Sequence, residues 1–271
     1  MTQTDLYHWS EVDRSPMAQE FVEYLDTVTA MKGTQQRKRE SYEVMGAREG
    51  GSYLDLGCGT GDDAIELAKI AGPSGRVVGV DNSAVMIAEA QQKAQQAGVH
   101  VEFIQGSGEA LEFPDNSFDG CRADRVFQHL PDRKAVLAEM IRVTRPGGKI
   151  LINDPDYGGR MIDGSDRKLT EKILTFMNSR VRNPWAGRQN YRLFKEAGLK
   201  DVISSPRLSA STNFERAKKV GRFPDAALIM QEQGLLTEEE ANTWIADMER
   251  SAEAGHFFCV VASFMVCGVK P

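Results

Sequence analysis

The segment that most constrains the fold is YLDLGCGTG at Tyr53–Gly61, where a short apolar strand candidate leads into three glycines. A helical pattern begins directly afterwards, near Asp62. Glycines at such a turn let the backbone bend tightly and let a ligand approach without a Cβ in the way, while the helix N-terminus presents free amides. Such a loop after the first strand of a parallel sheet marks a crevice for nucleotide-like ligands.

Strand and helix patterns alternate from residue 53 to about residue 154. The strand candidates are apolar segments bounded by Gly, Pro or Asp: Tyr53–Leu56, Arg76–Asp81, His100–Ile104, Phe118–Ala123 and Lys149–Asn153. Helical stretches with one apolar face lie between them, for example Ala64, Leu67, Ala68 and Ala71. This alternation indicates βαβ units and a parallel sheet with helices on both faces.

The remaining residues are additions to that core, since 271 residues exceed one standard domain. We predict four regions: an N-terminal helical cap at 1–48, a ligand-binding core at 49–156, a helical acceptor-site segment at 157–198, and remaining core strands at 199–271 with a helical insertion at 213–254. Strand patterns occur at 200–206 and 256–269, and Thr237 with Glu240 predicts a helix-capping box.

Composition excludes several classes of protein. The net charge of −6 argues against nucleic acid, because binding a polyanion needs a basic footprint, and Arg37, Lys38 and Arg39 form only a short basic patch. The four cysteines show neither a CxxC pair nor zinc spacing, so no metal is expected. No apolar run is long enough for a membrane span and the first residues do not read as a signal peptide, so a cytoplasmic protein is expected. The oligomeric state is left open.

The spacing of the glycines discriminates between ligands. A dinucleotide fingerprint needs GxGxxG and a Walker loop needs GxxxxGK[ST], and neither pattern is present. Asp62 at the start of the helix suits the helix dipole but disfavours a pyrophosphate. These features favour a ligand that has cationic groups and an adenosine but no phosphates.

Four motifs in order resemble the class I S-adenosylmethionine-dependent methyltransferases. They are YLDLGCGTG, then VVGVDNS at Val77–Ser83, then FDGCRADRVFQHL, and a helix that ends in RPGG. The chain is most similar to the small-molecule branch that includes the ubiquinone- and menaquinone-biosynthesis enzymes, over about residues 50–206 and the last strand. The resemblance implies an α/β fold with a Rossmann-like, doubly wound sheet of seven strands, the last of them antiparallel, and a helical cap.

The resemblance also implies a cofactor site for S-adenosylmethionine, released as S-adenosylhomocysteine. The methionine portion would lie on the loop residues Asp55, Gly57, Cys58, Gly59, Thr60 and Gly61. Asp81 would accept hydrogen bonds from both ribose hydroxyls, and Met86 would pack on the adenine with Asn82 nearby. The helical stripe of Met86 would also bury it without a ligand.

Two further parts of this site depart from the family pattern or allow two interpretations. The segment FIQGSGEALEF would contribute Ser107, Gly108 and Glu109, and Ser107 replaces an aspartate, so it can form a hydrogen bond but supplies no charge. Arg122 could line the methionine pocket or pair with Asp124.

Candidates for the acceptor site follow the fourth and fifth strands. His129 would be a catalytic base, an orienting group, or a structural residue beside Leu130 and Pro131. The segment NDPDY at Asn153–Tyr157 resembles [ND]PP[YF], but it follows the fifth strand and has Asp156 in place of the second proline, so nucleobase methylation is not expected. The substrate-binding candidates are Tyr7, Asp154, Tyr157, Trp185 and Tyr191. For Asp154 and Tyr157 the alternative is a solvated turn. For Tyr7, Trp185 and Tyr191 the alternative is packing in the core.

The function implied is methyl transfer to a small-molecule acceptor by in-line displacement. This reaction needs alignment and exclusion of water but no metal or covalent nucleophile. C- or O-methylation of a phenol, quinone or natural product is favoured over N-methylation of a small amine. A methyltransferase-like protein without catalysis is a further alternative, and Asp62 disfavours a nicotinamide-dependent dehydrogenase.

Overall fold

The computed structural model describes residues 9–16 and 18–271. Its seven strands form one sheet in the order β3-β2-β1-β4-β5-β7-β6. The strands are β1 (Ser52–Leu56), β2 (Arg76–Asp81), β3 (Glu102–Gln105), β4 (Phe118–Asp124), β5 (Thr144–Ile162), β6 (Lys200–Ser211) and β7 (Cys259–Val269). Strands β1 to β5 pair in parallel, whereas β7 runs antiparallel to both β5 and β6. The predicted doubly wound sheet with an antiparallel last strand is confirmed.

Ten α-helices are present in the described residues, and a 3₁₀ helix at Trp9–Arg14 precedes them. They are α1 (Ala18–Thr29), α2 (Lys32–Met45), α3 (Asp62–Ala71), α4 (Ala84–Ala97), α5 (Arg133–Val143), α6 (Arg167–Ser179), α7 (Ala186–Glu196), α8 (Phe214–Gly221), α9 (Phe223–Glu232) and α10 (Glu238–Glu253). None of the described helices is both long and apolar enough to cross a lipid bilayer.

The two faces of the sheet bury separate apolar clusters because successive strand residues point to opposite sides. Leu54 and Leu56 pack with α5 and α7 on one face. Tyr53 packs with α2 and α3 on the other face. Asp55 lies on the α2 and α3 side of β1 by the same alternation. Helices therefore cover both faces, as the strand and helix alternation predicts.

Strands β5 and β6 are longer than predicted. The pattern predicts that β5 ends at Asn153, but β5 continues to Ile162, which pairs with Cys259 of β7. Pro155 and the following glycines resemble a turn in the sequence, yet β7 supplies a partner strand along this segment, with a register break between Asp156 and Met161. Strand β6 likewise continues past Pro206, which an edge strand tolerates.

The cap is defined here as helices α6, α8, α9 and α10, which share a hydrophobic core of their own. That core comprises Ile173, Met177, Phe214, Ala217, Phe223, Ala226, Ala227, Met230, Leu236, Ala241, Trp244, Met248 and Phe257. Ile162 and Cys259, at the paired ends of β5 and β7, pack against it. The capping box of Thr237 and Glu240 is present at the start of α10. The cap therefore packs against the extended parts of β5 and β7, beyond the carboxyl ends of the parallel strands.

Candidate functional site

A first cavity of about 350 Å³ lies where β1, β2 and β4 end. This size is within the range of small-molecule sites, and the carboxyl ends of parallel strands are where such folds bind ligands. The sequence-predicted residues that line it are Gly57, Gly59, Asp81, Asn82, Met86, Ser107, Gly108, Glu109, His129 and Tyr157. The folded chain thus brings ten of the predicted site residues to one cavity.

The glycines of the loop have different structural roles. Gly57 and Gly59 line the first cavity with φ angles of +66° and +53°. A Cβ on Gly57 would lie 2.3 Å from Val126 Cγ2, so no other residue fits there without displacement. Gly61 does not line the cavity; a Cβ there would lie 2.8 Å from Ala90 Cβ on α4. Gly61 therefore serves helix packing, and Gly57 and Gly59 leave space beside the cavity.

Asp81 is held in a fixed orientation at the end of β2. Its Oδ2 accepts a hydrogen bond from the backbone N–H of Gly59 at 2.8 Å, and its Oδ1 accepts one from Ser83 N–H at 3.0 Å. Burial raises the pKa of this carboxyl group above its usual value. Each carboxylate oxygen can accept a second hydrogen bond. Asp81 therefore combines a fixed position with acceptor capacity toward the cavity, which suits two neighbouring hydroxyl groups.

The N-terminal 3₁₀ helix forms another wall of the first cavity. Trp9 and Val12 line the cavity beside Met86, whose side chain is only 2% exposed. Asp13 anchors this segment, because its carboxylate accepts hydrogen bonds from Ser83 Oγ at 2.5 Å and from the backbone N–H of Ala84 at 2.8 Å. Ser83 is also the N-cap of α4. Met86, Val12 and Trp9 pack in one apolar cluster beside the cavity.

A second cavity, of about 270 Å³, adjoins the first. Five residues line both: Trp9, Tyr24, Arg125, His129 and Tyr157. The other walls come from α1, α2, the extended parts of β5, β6 and β7, and helices α8 and α9. The additions to the sheet therefore enclose a second site beside the first.

Comparisons with known proteins identify the family. The family model described as a methyltransferase domain matches residues 47–198, more than half of the chain. This chain belongs to the S-adenosylmethionine-dependent methyltransferases. It is an enzyme of that family, and S-adenosylmethionine is its cofactor, as the sequence motifs predict.

Individual relatives agree with this assignment. An uncharacterised 37.1 kDa protein of transposon TN4556 from Streptomyces fradiae is 33% identical over 246 residues, which are 90% of this chain and 70% of the relative. The demethylmenaquinone methyltransferase of Bacillus licheniformis is 32% identical over 197 residues, which are 67% of this chain and 84% of that enzyme. Phosphoethanolamine N-methyltransferase 2 of Haemonchus contortus, solved with S-adenosylmethionine, is similar in fold, with a TM-score of 0.62, 18% identity, and coverage of 99% of this chain and 61% of that one.

Several predicted residues lie beneath the first cavity of the methyltransferase instead of lining it. Asp55, Cys58, Thr60 and Arg122 are all buried and do not contribute to its walls. The side chain of Arg122 is fully buried and contacts Asp124, with Nη2 to Oδ2 at 3.3 Å. Arg122 therefore forms the ion pair with Asp124 that one of the two interpretations gives it, and its contact with the methionine portion stays a prediction.

Arg122 is the centre of a buried ionic cluster on the α2 and α3 side of the sheet. Its Nη1 lies 3.0 Å from Asp55 Oδ1 and 2.9 Å from Asp63 Oδ2. Lys38 and Tyr42 of α2 also donate to Asp63. Burial opposes ionisation of Asp63, but Arg122 and Lys38 outweigh it and hold the pKa of that carboxyl group below its usual range. The cluster ties β1 and β4 to α2 and α3 directly below the glycine loop.

The substrate-binding candidates are distributed differently from the prediction. Of the four candidates that the structure describes, Tyr157 alone lines a cavity, and it lines both. Asp154 is fully buried and accepts from Asn190 Nδ2 at 2.9 Å, so it is a structural group in β5 and not part of a solvated turn. Trp185 and Tyr191 are 52% and 43% exposed and line neither cavity. Tyr7 lies outside the described residues.

His129 lines both cavities of the methyltransferase. Burial lowers the pKa of its imidazole to about 3, and the charges of Arg125 and Arg182 add to this effect. The ring is therefore neutral at physiological pH, the form in which one nitrogen accepts a hydrogen bond or a proton. Arg125, the neighbour in this loop, has a left-handed backbone with φ +61°. Strain of this kind in a non-glycine residue is concentrated at functional sites.

We expect the His129 imidazole to remain neutral from about pH 8 to about pH 5, where an ordinary histidine gains a proton. In the unfolded chain this group binds a proton below about pH 6.5. His129 therefore lowers the free energy of unfolding as the pH falls from about 6.5 toward 3. Two-dimensional NMR of the ring, assigned by its loss in His129→Gln, tests this; a chemical-shift transition between pH 6 and 7 would contradict it.

Sequence analysis missed the arginines of the second cavity. Arg37 was treated as part of a basic patch, although it lies one helical turn from the buried Thr34 of α2. Arg160 follows the predicted end of β5, so no strand is assigned to it, and Arg125 lies within FDGCRADRVFQHL but at a position to which the motif gives no role. The amphipathic pattern of α2 was the available signal for Arg37. No local feature of the sequence predicts that Arg160 lines the same cavity as Arg37.

Proposed function

We propose that this methyltransferase binds S-adenosylmethionine in the first cavity and methylates an oxygen or carbon atom of a small acceptor held in the second cavity. The observation that carries the proposal is the wall shared by the two cavities, where Trp9, Tyr24, Arg125, His129 and Tyr157 contribute to both. A methyl transfer needs donor and acceptor side by side with water excluded. Two adjoining cavities with common lining residues meet that requirement.

Residues of this chain fit the cofactor. When bound, S-adenosylmethionine supplies a methyl group on a positively charged sulfur with a neutral thioether as the leaving group. Asp81 would accept from the ribose hydroxyls, Met86 would contact the adenine, and Gly57 and Gly59 would leave room for the methionine portion. Ser107 Oγ accepts from Glu109 N–H at 3.2 Å and keeps its own hydrogen for a ligand acceptor.

His129 is the residue that we propose handles the acceptor proton. A hydroxyl acceptor must lose its proton when its oxygen gains a methyl group. The neutral imidazole of His129 can accept a hydrogen bond from that hydroxyl and then the proton. Because burial is the main cause of the low pKa of His129, this role requires that a negatively charged acceptor beside the ring raise that pKa toward the working pH.

The lining of the second cavity favours O- or C-methylation over methylation of an amine. Arg37, Arg125, Arg160, Arg216 and Arg222 line it, and no Asp or Glu does so among the described residues. A protonated amine would be repelled by these guanidinium groups and would find no carboxylate partner there. A phenol, quinol or related natural product has no such conflict. Action in the cytoplasm and absence of nucleic-acid partners remain predictions.

The test is transfer of a labelled methyl group to two acceptor panels, one of phenols and quinols and one of primary and secondary amines. We expect labelled product from the first panel. For a hydroxyl acceptor, His129→Ala should lower kcat by about 100-fold or more. Affinity for S-adenosylhomocysteine, measured by calorimetry, should change little. Methylation of amines alone would overturn the proposal.

A matched control uses His256, which is exposed and lines neither cavity. His256→Ala should leave both kcat and cofactor affinity unchanged. An unchanged kcat in His129→Ala would give that residue a structural role while leaving the two-cavity proposal in place. The two variants therefore separate proton handling from placement of the acceptor.

A further inference from the structure

We propose that the acceptor carries an acidic group, a carboxylate or a phosphate, which Arg37 and Arg160 bind inside the second cavity. This inference rests on the proposed function of that cavity and narrows the class of acceptor. The first observation is that the charged side chains lining this cavity are all positive. Five arginines line the cavity, and its described lining contains no carboxylate. Arg222 has a partner outside the lining, because its Nε donates to Asp225 Oδ2 at 2.7 Å.

Three of these arginines have unused donors. The Nε atoms of Arg37, Arg125 and Arg160 are buried and have no hydrogen-bond partner among the described residues. Buried donors in folded proteins are nearly always paired, whereas the described residues leave these three guanidinium groups incompletely paired. Guanidinium groups match carboxylate and phosphate oxygens in geometry as well as in charge.

The nearest carboxylates do not fill this role. Asp55 and Asp63 contact Arg122 in the buried ionic cluster. Asp124 contacts Arg122 as well and accepts from Asn153 Nδ2 at 2.8 Å. The distance from Asp124 Oδ1 to Arg125 Nε is 3.9 Å, which is too long for a hydrogen bond.

Arg37 and Arg160 form no ion pair of their own among the described residues, since neither has a carboxylate of that part of the chain within ion-pair distance. Arg160 lies over the Tyr157 ring at 4.6 Å and donates from Nη1 to Met177 Sδ. Burial lowers the pKa of Arg37; the charge of Asp124 opposes this effect, and the charge of Arg125 adds to it. A ligand anion would relieve both the burial of the charge and the repulsion between these arginines.

The other residues that line the second cavity indicate the chemical character of the rest of the acceptor molecule. Apolar side chains from several surrounding elements contribute, among them Val28, Met31, Ile162, Val181, Val220 and Phe223. An apolar protein cavity of about 150 Å³ accommodates benzene. The second cavity, at about 270 Å³, has room for a ring with substituents. An aromatic or similarly apolar acid fits this combination of walls.

The arrangement also orients the acceptor. Arg37 and Arg160 line the second cavity only, whereas His129 lines both cavities. An acidic group bound by Arg37 and Arg160 would leave the opposite end of the molecule near His129. The atom to be methylated would then face the first cavity.

The experiment measures binding to enzyme saturated with S-adenosylhomocysteine, by calorimetry. The probes are 3,4-dihydroxybenzoate, its neutral carboxamide, and 3,4-dihydroxyphenylphosphonate, so that the two acids separate carboxylate from phosphate recognition. We expect at least one acid to bind tenfold or more tightly than the carboxamide. Arg37→Gln and Arg160→Gln should each remove most of that preference without changing the affinity for S-adenosylhomocysteine.

Arg39→Gln is the matched control, because Arg39 is exposed on the same helix as Arg37 and does not line the cavity. It should retain the full preference. Equal affinity for acid and carboxamide, no binding of either acid at millimolar concentration, or an unchanged preference in both lining variants would overturn the inference. Methylation of neutral phenols by the same enzyme would then still support the proposed function, whereas acid binding without methyl transfer to any hydroxyl would support the inference alone.

Discussion

Replacing Arg122 with methionine is expected to lower the free energy of unfolding by about 3–5 kcal/mol, the usual effect of removing one member of a buried ionic group. Methionine has a similar length and fills the space without a charge. Asp55, Asp63 and Asp124 would then share a buried region in which Arg122 had contacted all three. Uncompensated carboxylates in a buried region are strongly unfavourable.

Urea denaturation followed by circular dichroism measures this loss. Arg145→Met is the matched control, because the Arg145 side chain is 49% exposed and pairs with Asp119 at the surface. That variant should lose less than about 1 kcal/mol. The effect of Arg122→Met should be smaller at pH 5 than at pH 8, since unpaired buried carboxyl groups bind protons more readily in the folded state. Similar losses in the two variants would show that the cluster contributes little to stability.

Asp81→Ala is expected to weaken binding of S-adenosylhomocysteine by about 1–3 kcal/mol, or roughly 5- to 150-fold. The substitution removes the proposed acceptor of both ribose hydroxyls. It also removes the oxygens that hold Gly59 N–H and Ser83 N–H, so the glycine loop loses an anchor. Calorimetric titration measures the affinity directly.

Asp62 provides the control for this prediction. It lies at the first turn of α3, close to the loop in sequence, but does not line the first cavity. Asp62→Ala should therefore leave the affinity for S-adenosylhomocysteine nearly unchanged. Unchanged affinity in Asp81→Ala would remove the ribose contact from the proposed site. A thermal melt of each variant separates loss of binding from loss of folding.

The sequence was sufficient to predict the cofactor side of the molecule. Glycines with positive φ, an acidic residue at the end of β2 and a serine N-cap are local features, so their spacing along the chain carries the information. Gly57, Gly59, Asp81 and Met86 accordingly line one cavity. Asp55 and Arg122 do not line that cavity, and the loop motif does not show which side of the strand each residue faces. The alternation along β1 gives that answer once Leu54 is known to face α5 and α7.

The acceptor side depends on long-range pairing that local patterns do not contain. Arg37 and Arg160 lie 123 positions apart in the chain and line the same cavity because β7 extends β5 past Pro155. Exposed aromatic residues such as Trp185 were plausible walls by composition alone. The helical insertion at 213–254 had no predicted role at the site, yet α8 and α9 form part of the cavity wall.

The independent core of the cap has an evolutionary consequence. Trp244, Phe223 and their neighbours pack with one another, while the central sheet is stabilised by separate clusters. Mutations that remodel α8 or α9 can therefore accumulate with little effect on the loop that carries Gly57 and Gly59. Acceptor selectivity and cofactor use are in this way separable traits, and a lineage can acquire a new substrate by rebuilding one part of the protein while conserving the other.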